Sequence, residues 1–458
     1  MLDEAAEKTS IPADERVKFF EWAVSSLWKT FKEERMNQRI IIENEIRQLG
    51  IRFPNGQVNK GYEYSFYLPD EKISNIELDG AEELGLTLSK GEAGEYVLNG
   101  KPTSTGDFTL TLRYDTVEGE PRSKLNIPVA FNPDPRSLWK NIPTDENIPY
   151  YKPDSDSGYI KVGDGEGNAK KDIVAASQRG RSHAQEGKAR DDHFSLYHCD
   201  DSDWYVIAVA DGAGSAKYSR KGSEVACNAV VDHCKQLLID NPGFEESIRE
   251  YEADRENKEK RTDLTRKVID IIYNGAVKAH EAIKRVSKAN EETKLKDFAT
   301  TLMFAICKKY DFGWFIASFW VGDGAMCLFD KEAKTAKLLG TPDEGEFSGQ
   351  TRFLTMPEIF HDPDIVSKRF RFTVVPDFTA LFMMTDGVSD PMFETDKNLN
   401  DYAKWEEFYE KVKNGFPEDK IEGVDLSDNN EGAKDELLRW LNFWSPGNHD
   451  DRTIAILY

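Results

Sequence analysis

The stretch WYVIAVADGAGS, residues 204–215, runs seven apolar residues straight into an Asp-Gly pair, and ALFMMTDGVSD, residues 380–390, repeats the arrangement. A short apolar run without alternation is the pattern of a strand buried on both faces. Asp211 and Asp386 therefore stand at strand ends, where a rigid scaffold can hold a site. The glycine after each Asp lets the backbone approach closely, so that a carbonyl can join the side chain around a cation. Two further acidic pairs share the context: Asp191-Asp192 precedes the strand-like HFSLY, and Asp450-Asp451 precedes TIAILY. Asp-Gly by itself is a common turn dipeptide. Carboxylates that converge repel one another unless hard cations neutralise them, and Mg²⁺ or Mn²⁺ with oxygen ligands suits such a set.

Outward from these stretches the C-terminal part mixes strands with helices. TLMFAIC at 301–307 and WFIASFWV at 314–321 read as buried strands joined by a turn at YDFG, 310–313. Helical periodicity covers Gly222 to about Ile239, and Leu264, Val268, Ile271, Ile272, Ala279, Ile283 and Val286 continue it further on. This alternation predicts an antiparallel α/β sandwich over residues 171–458. The charged run 245–261 reads as a solvated helix or loop extension.

Residues 1–50 carry Val17, Phe20, Val24, Leu27, Trp28 and Phe31 at three- and four-residue steps, with Ile42, Ile46 and Leu49 before Gly50. That is one apolar stripe of a helix, expected to pack on the neighbouring module or to bind a partner. Residues 51–133 change to short strands between turn residues: YSFYL, EYVL, FTLTLRY and KLNIP. Residues 134–170, rich in Pro, Asp and Gly, predict a linker, and GDGEG at 163–167 lacks the ligand pattern of a calcium loop.

At 458 residues the chain exceeds one ordinary core of about 100–200 residues. Hydrophobic content of 39% with 31% charged residues belongs to a globular protein. Eighty-three acidic against 60 basic residues give a net charge of -23, which opposes binding to nucleic acid or to an anionic membrane surface. Five scattered cysteines without CxxC spacing indicate neither a disulfide framework nor a zinc ribbon. An acidic N-terminus, and no apolar run of about 18 residues, predict a cytoplasmic protein.

Taken in order, RDDH (190–193), ADGAGS (210–215), ATTL (299–302), VGDG (321–324), TDGVSD (385–390) and DDRT (450–453) resemble the motifs of the type 2C, or PPM, metal-dependent protein phosphatases. The resemblance covers roughly residues 172–458 and implies a four-layer fold, two antiparallel sheets flanked by helices. It implies that Asp211 bridges two Mg²⁺ or Mn²⁺ ions, that Asp191 and the Gly212 carbonyl complete one site, and that Asp386 and Asp450 complete the other. Asp192 and Asp323 would stand behind these through water or at a third, weaker cation site. Asp211, Asp386 and Asp450 become the residues of catalysis, in which a water shared by the ions attacks phosphorus. Upstream, NGKPTSTGDFTLTLRYD (99–115) is similar to bacterial immunoglobulin-like repeats, which implies a small β-sandwich acting as a binding or spacer module.

The chain departs from the family pattern in three places. Relatives place a phosphate-gripping Arg three residues after the glycine of their first motif, whereas Gly180 is followed there by His183. Arg181, Arg190 or His183 are the candidates for phosphate binding in its stead. Ala213 stands where eukaryotic relatives carry a His, as in many bacterial relatives, and Asp323 lies in GDGA rather than GDSR. The resemblance implies a variable flap between Asp323 and Asp386, here including residues 344–353, that sets substrate choice. The function implied is hydrolysis of phosphoserine and phosphothreonine, with a phosphorylated protein as substrate, a cognate Ser/Thr kinase or its targets as partner, and the N-terminal module as docking site. A phosphatase-fold sensor or adaptor with little or no activity is the alternative, and a small phosphate ester is a third reading.

Overall fold

Between Arg16 and Gln48 neither proline nor glycine interrupts the chain, and these residues form one 33-residue helix, α1. Leu49 caps it and Gly50 leaves it at a positive φ of 63°. The structure, a computed structural model, describes residues 14–116, 121–163, 170–340, 351–361 and 363–458, with residues 8, 12 and 342 singly. The chain divides into two units, Met1–Leu138 and Trp139–Tyr458.

In the first unit α1 joins the core of the β-strands near its C-terminal end. Ile46 is fully buried with Phe53, Phe66 and Leu112, and Glu43 accepts hydrogen bonds from Ser123 Oγ at 2.7 Å and Arg39 Nε at 2.9 Å. Most of the apolar stripe lies open instead, with Val17 and Leu27 both 65% exposed. Seven strands follow: β1 (Gly56–Gln57), β2 (Tyr62–Tyr67), β3 (Ser74–Asp79), β4 (Leu86–Lys90), β5 (Glu95–Gly100), β6 (Gly106–Asp115) and β7 (Ser123–Asn132). They form two sheets, ordered β1-β7-β6-β3 and β2-β5-β4. The inward residues alternate as strand geometry requires: Leu110, Leu112 and Tyr114 on β6, and Ile127, Val129 and Phe131 on β7.

The second unit carries β8 (Ser155–Ile160), β9 (Ile173–Gln178), β10 (His193–His198), β11 (Tyr205–Ala210), β12 (Leu302–Tyr310), β13 (Gly313–Val321), β14 (Ala325–Asp330), β15 (Thr335–Gly340), β16 (Phe370–Val375), β17 (Ala380–Met384) and β18 (Arg452–Leu457). One sheet runs β10-β11-β12-β13-β16 and the other β15-β14-β17-β18-β9-β8, so the described residues of the whole chain carry four sheets. Strands β12 and β13 are joined at Tyr310 and Gly313, whose φ of 130° glycine supplies without strain. Ile207, Met303, Trp314, Met326, Met383 and Ala455 share one core between the sheets. A short helix, α2 (Arg181–Glu186), follows β9, and a second core lies under α3 (Ser219–Leu238), α4 (Pro242–Ala253), α5 (Lys258–Val268) and α6 (Asn274–Lys288). A third packs α7 (Asp386–Phe393), α8 (Tyr402–Asn414) and α9 (Ala433–Trp440) on the second sheet. The charged run 245–261 spans parts of α4 and α5, and a π-helical turn at Ile269–Tyr273 separates α5 from α6. All five cysteines are buried and unpaired. No described helix is long and apolar enough to cross a membrane.

The linker expected over 134–170 is corrected. Trp139 begins the second unit, and Ser155–Ile160 is an edge strand paired with β9. The segment before it is a strap held by side chains rather than by a ladder. Buried Arg179 donates through Nη1 to Thr144 Oγ1 at 2.5 Å and through Nη2 to Asn141 Oδ1 at 2.8 Å and the Ile142 carbonyl at 3.1 Å. Prolines at 143, 149 and 153 prevent regular structure, and the carbonyls are satisfied by guanidinium groups instead. Residues 164–167 of the GDGEG motif lie outside the described residues.

The helix-covered face of the second sheet centres on Trp405, fully buried against Phe382, Phe393 and Phe408 with ring centroids 4.4–6.0 Å away. Its indole N–H donates to the Leu399 carbonyl at 2.8 Å. Truncating Trp405→Ala is expected to cost about 3–5 kcal/mol, as for large aromatics in cores, read as a lowered midpoint in urea.

Candidate metal and phosphate site

The site is built where strand ends of the two sheets meet. Asp191 and Asp192 lead into β10 and Asp211 follows β11, while Asp386 follows β17 and Asp450-Asp451 lead into β18. Both Asp-Gly pairs are close approaches. A Cβ on Gly212 would lie 2.7 Å from the Asp191 carbonyl oxygen, and one on Gly387 would lie 1.9 Å from that of Asp451. The ATTL threonines fix Asp211: its N–H donates to Thr301 Oγ1 and its carbonyl accepts from Thr300 Oγ1, both at 2.8 Å. Thr385 does the same for the other sheet, donating through Oγ1 to Asp192 Oδ2 at 2.9 Å while accepting the Thr453 N–H at 3.0 Å.

Asp211, Asp323 and Asp386 offer oxygens within 4.8 Å of one another. Burial first, then the Asp386, Asp192 and Asp450 charges, pushes the Asp211 carboxyl well above the usual range, and Asp386 is raised by burial and by Asp323 and Asp450. Burial and the Asp451 charge push Asp191 up to about 6 and Asp192 up to about 7. Among the described residues, the buried oxygens Asp191 Oδ1, Asp192 Oδ1 and Asp323 Oδ1 find no hydrogen-bond donor. Raised carboxyls with orphaned oxygens fit a hard divalent cation, which supplies the missing charge and takes oxygen ligands.

Asp390 belongs to the same site, a role that its sequence context alone does not assign. It lies one turn after Asp386 on α7, and its carboxyl is pushed up to about 6 by burial and Asp323. Asp323, Asp390, Glu394 and Asp396 line an adjacent cavity of ≈ 320 Å³. The i, i+4 spacing from Asp386 is the available signal. Thr351 donates to Asp323 Oδ2, while residues 344–350 of the expected flap lie outside the described residues.

The three phosphate candidates have other partners. His183 is buried with Nδ1 3.1 Å from each oxygen of Asp451, which also accepts the Gly180 N–H at 2.6 Å and the Asp191 N–H at 2.5 Å. Burial alone would lower His183, but Asp451, Asp191 and Asp450 together push it up to about 9. Arg181 donates to the Asn442 and Phe443 carbonyls at 3.0 and 3.3 Å and lies over the Trp444 ring. Arg190 is 1% exposed, with Nε 3.3 Å from the Pro153 carbonyl. Arg220, on the first turn of α3, is absent from the sequence-based candidates: its Nη1 lies 3.9 Å from Asp191 Oδ1. An arginine on a helix carries no sequence signal that separates it from a solvated one.

A family model described as Protein phosphatase 2C matches residues 179–442. Among solved structures the chain is similar to the Mycobacterium tuberculosis serine/threonine phosphatase PstP/Ppp, at 14% identity over 63% of this chain and 98% of that one, TM-score 0.35. It is similar to the catalytic domain of serine threonine protein phosphatase PstP in complex with two manganese ions, at 15% identity over 62% and 96%, TM-score 0.35. A third likeness is to PppA of Pseudomonas aeruginosa, a key regulatory component of T6SS, at 10% identity over 63% and 97%, TM-score 0.34. No curated protein matches the chain.

The raised carboxyls set a sign. A folded pKa above the unfolded one means that the folded state holds extra protons, so this contribution to stability falls as pH rises from about 4 through the folded values near 6 and 7. Asp211→Asn removes one of the repelling charges and is expected to raise Tm in EDTA at pH 8 by about 2–4 °C, the shift that about 1 kcal/mol gives in a domain of this class. Mn²⁺ is expected to stabilise the wild type more at pH 8 than at pH 5.5, and the variant little at either, by differential scanning calorimetry.

Proposed function

The chain belongs to the protein phosphatase 2C family, and on that premise we propose that it hydrolyses phosphoserine and phosphothreonine in proteins with Mg²⁺ or Mn²⁺. The observation that carries this is the convergence of Asp211, Asp323 and Asp386, whose oxygens lie within 4.8 Å of one another, with the charges of Asp192 and Asp450 close enough to raise Asp211 and the Asp191 carbonyl packed beside Gly212. In this reading Asp191, Asp211, the Gly212 carbonyl, Asp386 and Asp450 hold two ions, with Asp192, Asp323 and Asp390 behind them or at a third. When bound, such ions supply Lewis acidity toward phosphoryl oxygens and activation of water.

The chain's own residues prepare that chemistry. Thr300 and Thr301 hold the Asp211 backbone, so its carboxylate reaches the site without a change of backbone. Thr385 fixes Asp192 by a hydroxyl hydrogen bond and so sets its other oxygen toward the carboxylates. His183 and Asp451 form a charge-compensated pair that locks the backbones of Gly180 and Asp191, a positioning role rather than phosphate binding. Ala213 offers no proton to a leaving alkoxide, so the leaving-group proton comes from water.

The N-terminal unit is read as an immunoglobulin-like domain that docks a phosphoprotein or its kinase. Its strand order supports the immunoglobulin-like part of this reading. The third, sixth and seventh strands lie in one sheet and the second, fifth and fourth in the other, as in a seven-stranded immunoglobulin sandwich, and β1 pairs with β7 in parallel.

Release of phosphate from p-nitrophenyl phosphate and a phosphothreonine peptide, with Mn²⁺, Mg²⁺ or EDTA, tests the enzyme reading. Turnover is expected with metal alone, and Asp386→Asn is expected to lower kcat/KM by about 100-fold or more. Wild-type protein that binds Mn²⁺ and turns over neither substrate would replace the enzyme by a sensor.

A further inference from the structure

Arg220 is aimed by the strap. Its Nε donates to the Tyr150 carbonyl at 3.0 Å and its Nη2 to the Pro149 carbonyl at 2.7 Å, so one planar edge of the guanidinium is held by two consecutive backbone oxygens. Nη1 reaches the Lys217 carbonyl at 3.4 Å, the longest of the three contacts, and stands 3.9 Å from Asp191 Oδ1. The side chain is 13% exposed, so the group is packed in place yet opens to solvent beside a proposed metal ligand.

The strap is itself tied to the acidic pair. Lys152, 6% exposed, donates from Nζ to the Asp192 carbonyl at 2.9 Å and to Ser223 Oγ at 3.2 Å. Ser223 Oγ in turn donates to the Asp191 carbonyl at 2.5 Å. The Tyr150 ring packs edge-on against Tyr218 and Phe298, 5.3 and 6.1 Å away, in front of α3. Residues 149–152, upstream of the family-matched region, therefore register Arg220 against Asp191 and Asp192.

A phosphate monoester brings three anionic oxygens, and a guanidinium with one edge fixed presents its other edge, Nη1 with the second Nη2 hydrogen, as a planar two-pronged donor. His183 and Arg181 direct donors to protein acceptors, and Arg190, whose Nη1 has no acceptor among the described residues, is 1% exposed and so closed off from solvent. From this geometry we infer that Arg220 is the residue that grips the substrate phosphate, with the 149–152 strap as the part that aims it. The inference rests on the phosphatase reading of the same site.

The probe is inorganic phosphate, measured both as a competitive inhibitor of p-nitrophenyl phosphate turnover and by calorimetric titration of the Mn²⁺-loaded protein. Arg220→Ala is expected to raise the phosphate Ki and Kd and the KM at least about tenfold, with Mn²⁺ affinity unchanged. Arg220→Lys, which keeps the charge but not the fork, is expected to lose an intermediate amount and decides the matter if the alanine variant does not fold. If the wild type turns over and both variants bind phosphate within twofold of it, Arg220 only braces the strap and the inference fails alone. It fails equally if Mn²⁺ affinity falls in step with phosphate affinity. A wild type that neither turns over nor binds phosphate would sink the phosphatase reading and this inference with it.

Discussion

Three hydrogen-bond donors converge on the buried carboxylate of Asp451: the Gly180 N–H, the Asp191 N–H and His183 Nδ1, which stands 3.1 Å from both oxygens. Gly180 closes the loop after β9, Asp191 opens β10 and Asp451 opens β18, so one side chain joins both sheets at the end where the acidic residues gather. The packing there leaves no slack: a Cβ on Gly180 would lie 2.3 Å from the Asp450 carbonyl carbon. Removing one partner of a buried charge pair costs about 3–5 kcal/mol, because the other is left uncompensated.

The readable part of the site was the part that strand ends dictate. Unalternating apolar runs ending at Asp211 and Asp386 required buried strands, and a glycine after each Asp required close approach, which the Gly212 and Gly387 contacts display. The strap could not be read this way. Its prolines and aspartates forbid ladder and helix, and on composition alone that is a linker. What makes it ordered is a set of distant side chains, Arg179, Arg220 and Lys152, whose aim toward carbonyls no local pattern encodes. His183 shows the converse limit: spacing from Gly180 suggests a phosphate ligand, while Asp451, 268 residues away in sequence, holds its Nδ1.

Periodicity has the same limit in the first unit. The stripe from Val17 to Phe31 says which face of α1 is apolar and not what covers it. Ile46 found a core and Leu27 did not. Within the unit, the sheets needed only the C-terminal turns of the helix.

Charge balance explains why an arginine is needed at all. In the proposed reading, two divalent ions would balance the four charges of Asp191, Asp211, Asp386 and Asp450. His183 and Asp451 cancel each other. Asp192, Asp323 and Asp390 remain, and a phosphate dianion approaching such a centre would meet net negative charge in a chain that already carries -23. Nearby cations that are buried cannot help: burial and the Arg190 charge push Lys152 down to about 7, and its ammonium is turned toward the Asp192 carbonyl. A guanidinium stays charged across the pH range in which the carboxyls ionise, and one held by its far edge loses little further entropy when phosphate arrives. Arg220 meets both requirements, and the strap makes the second of them possible.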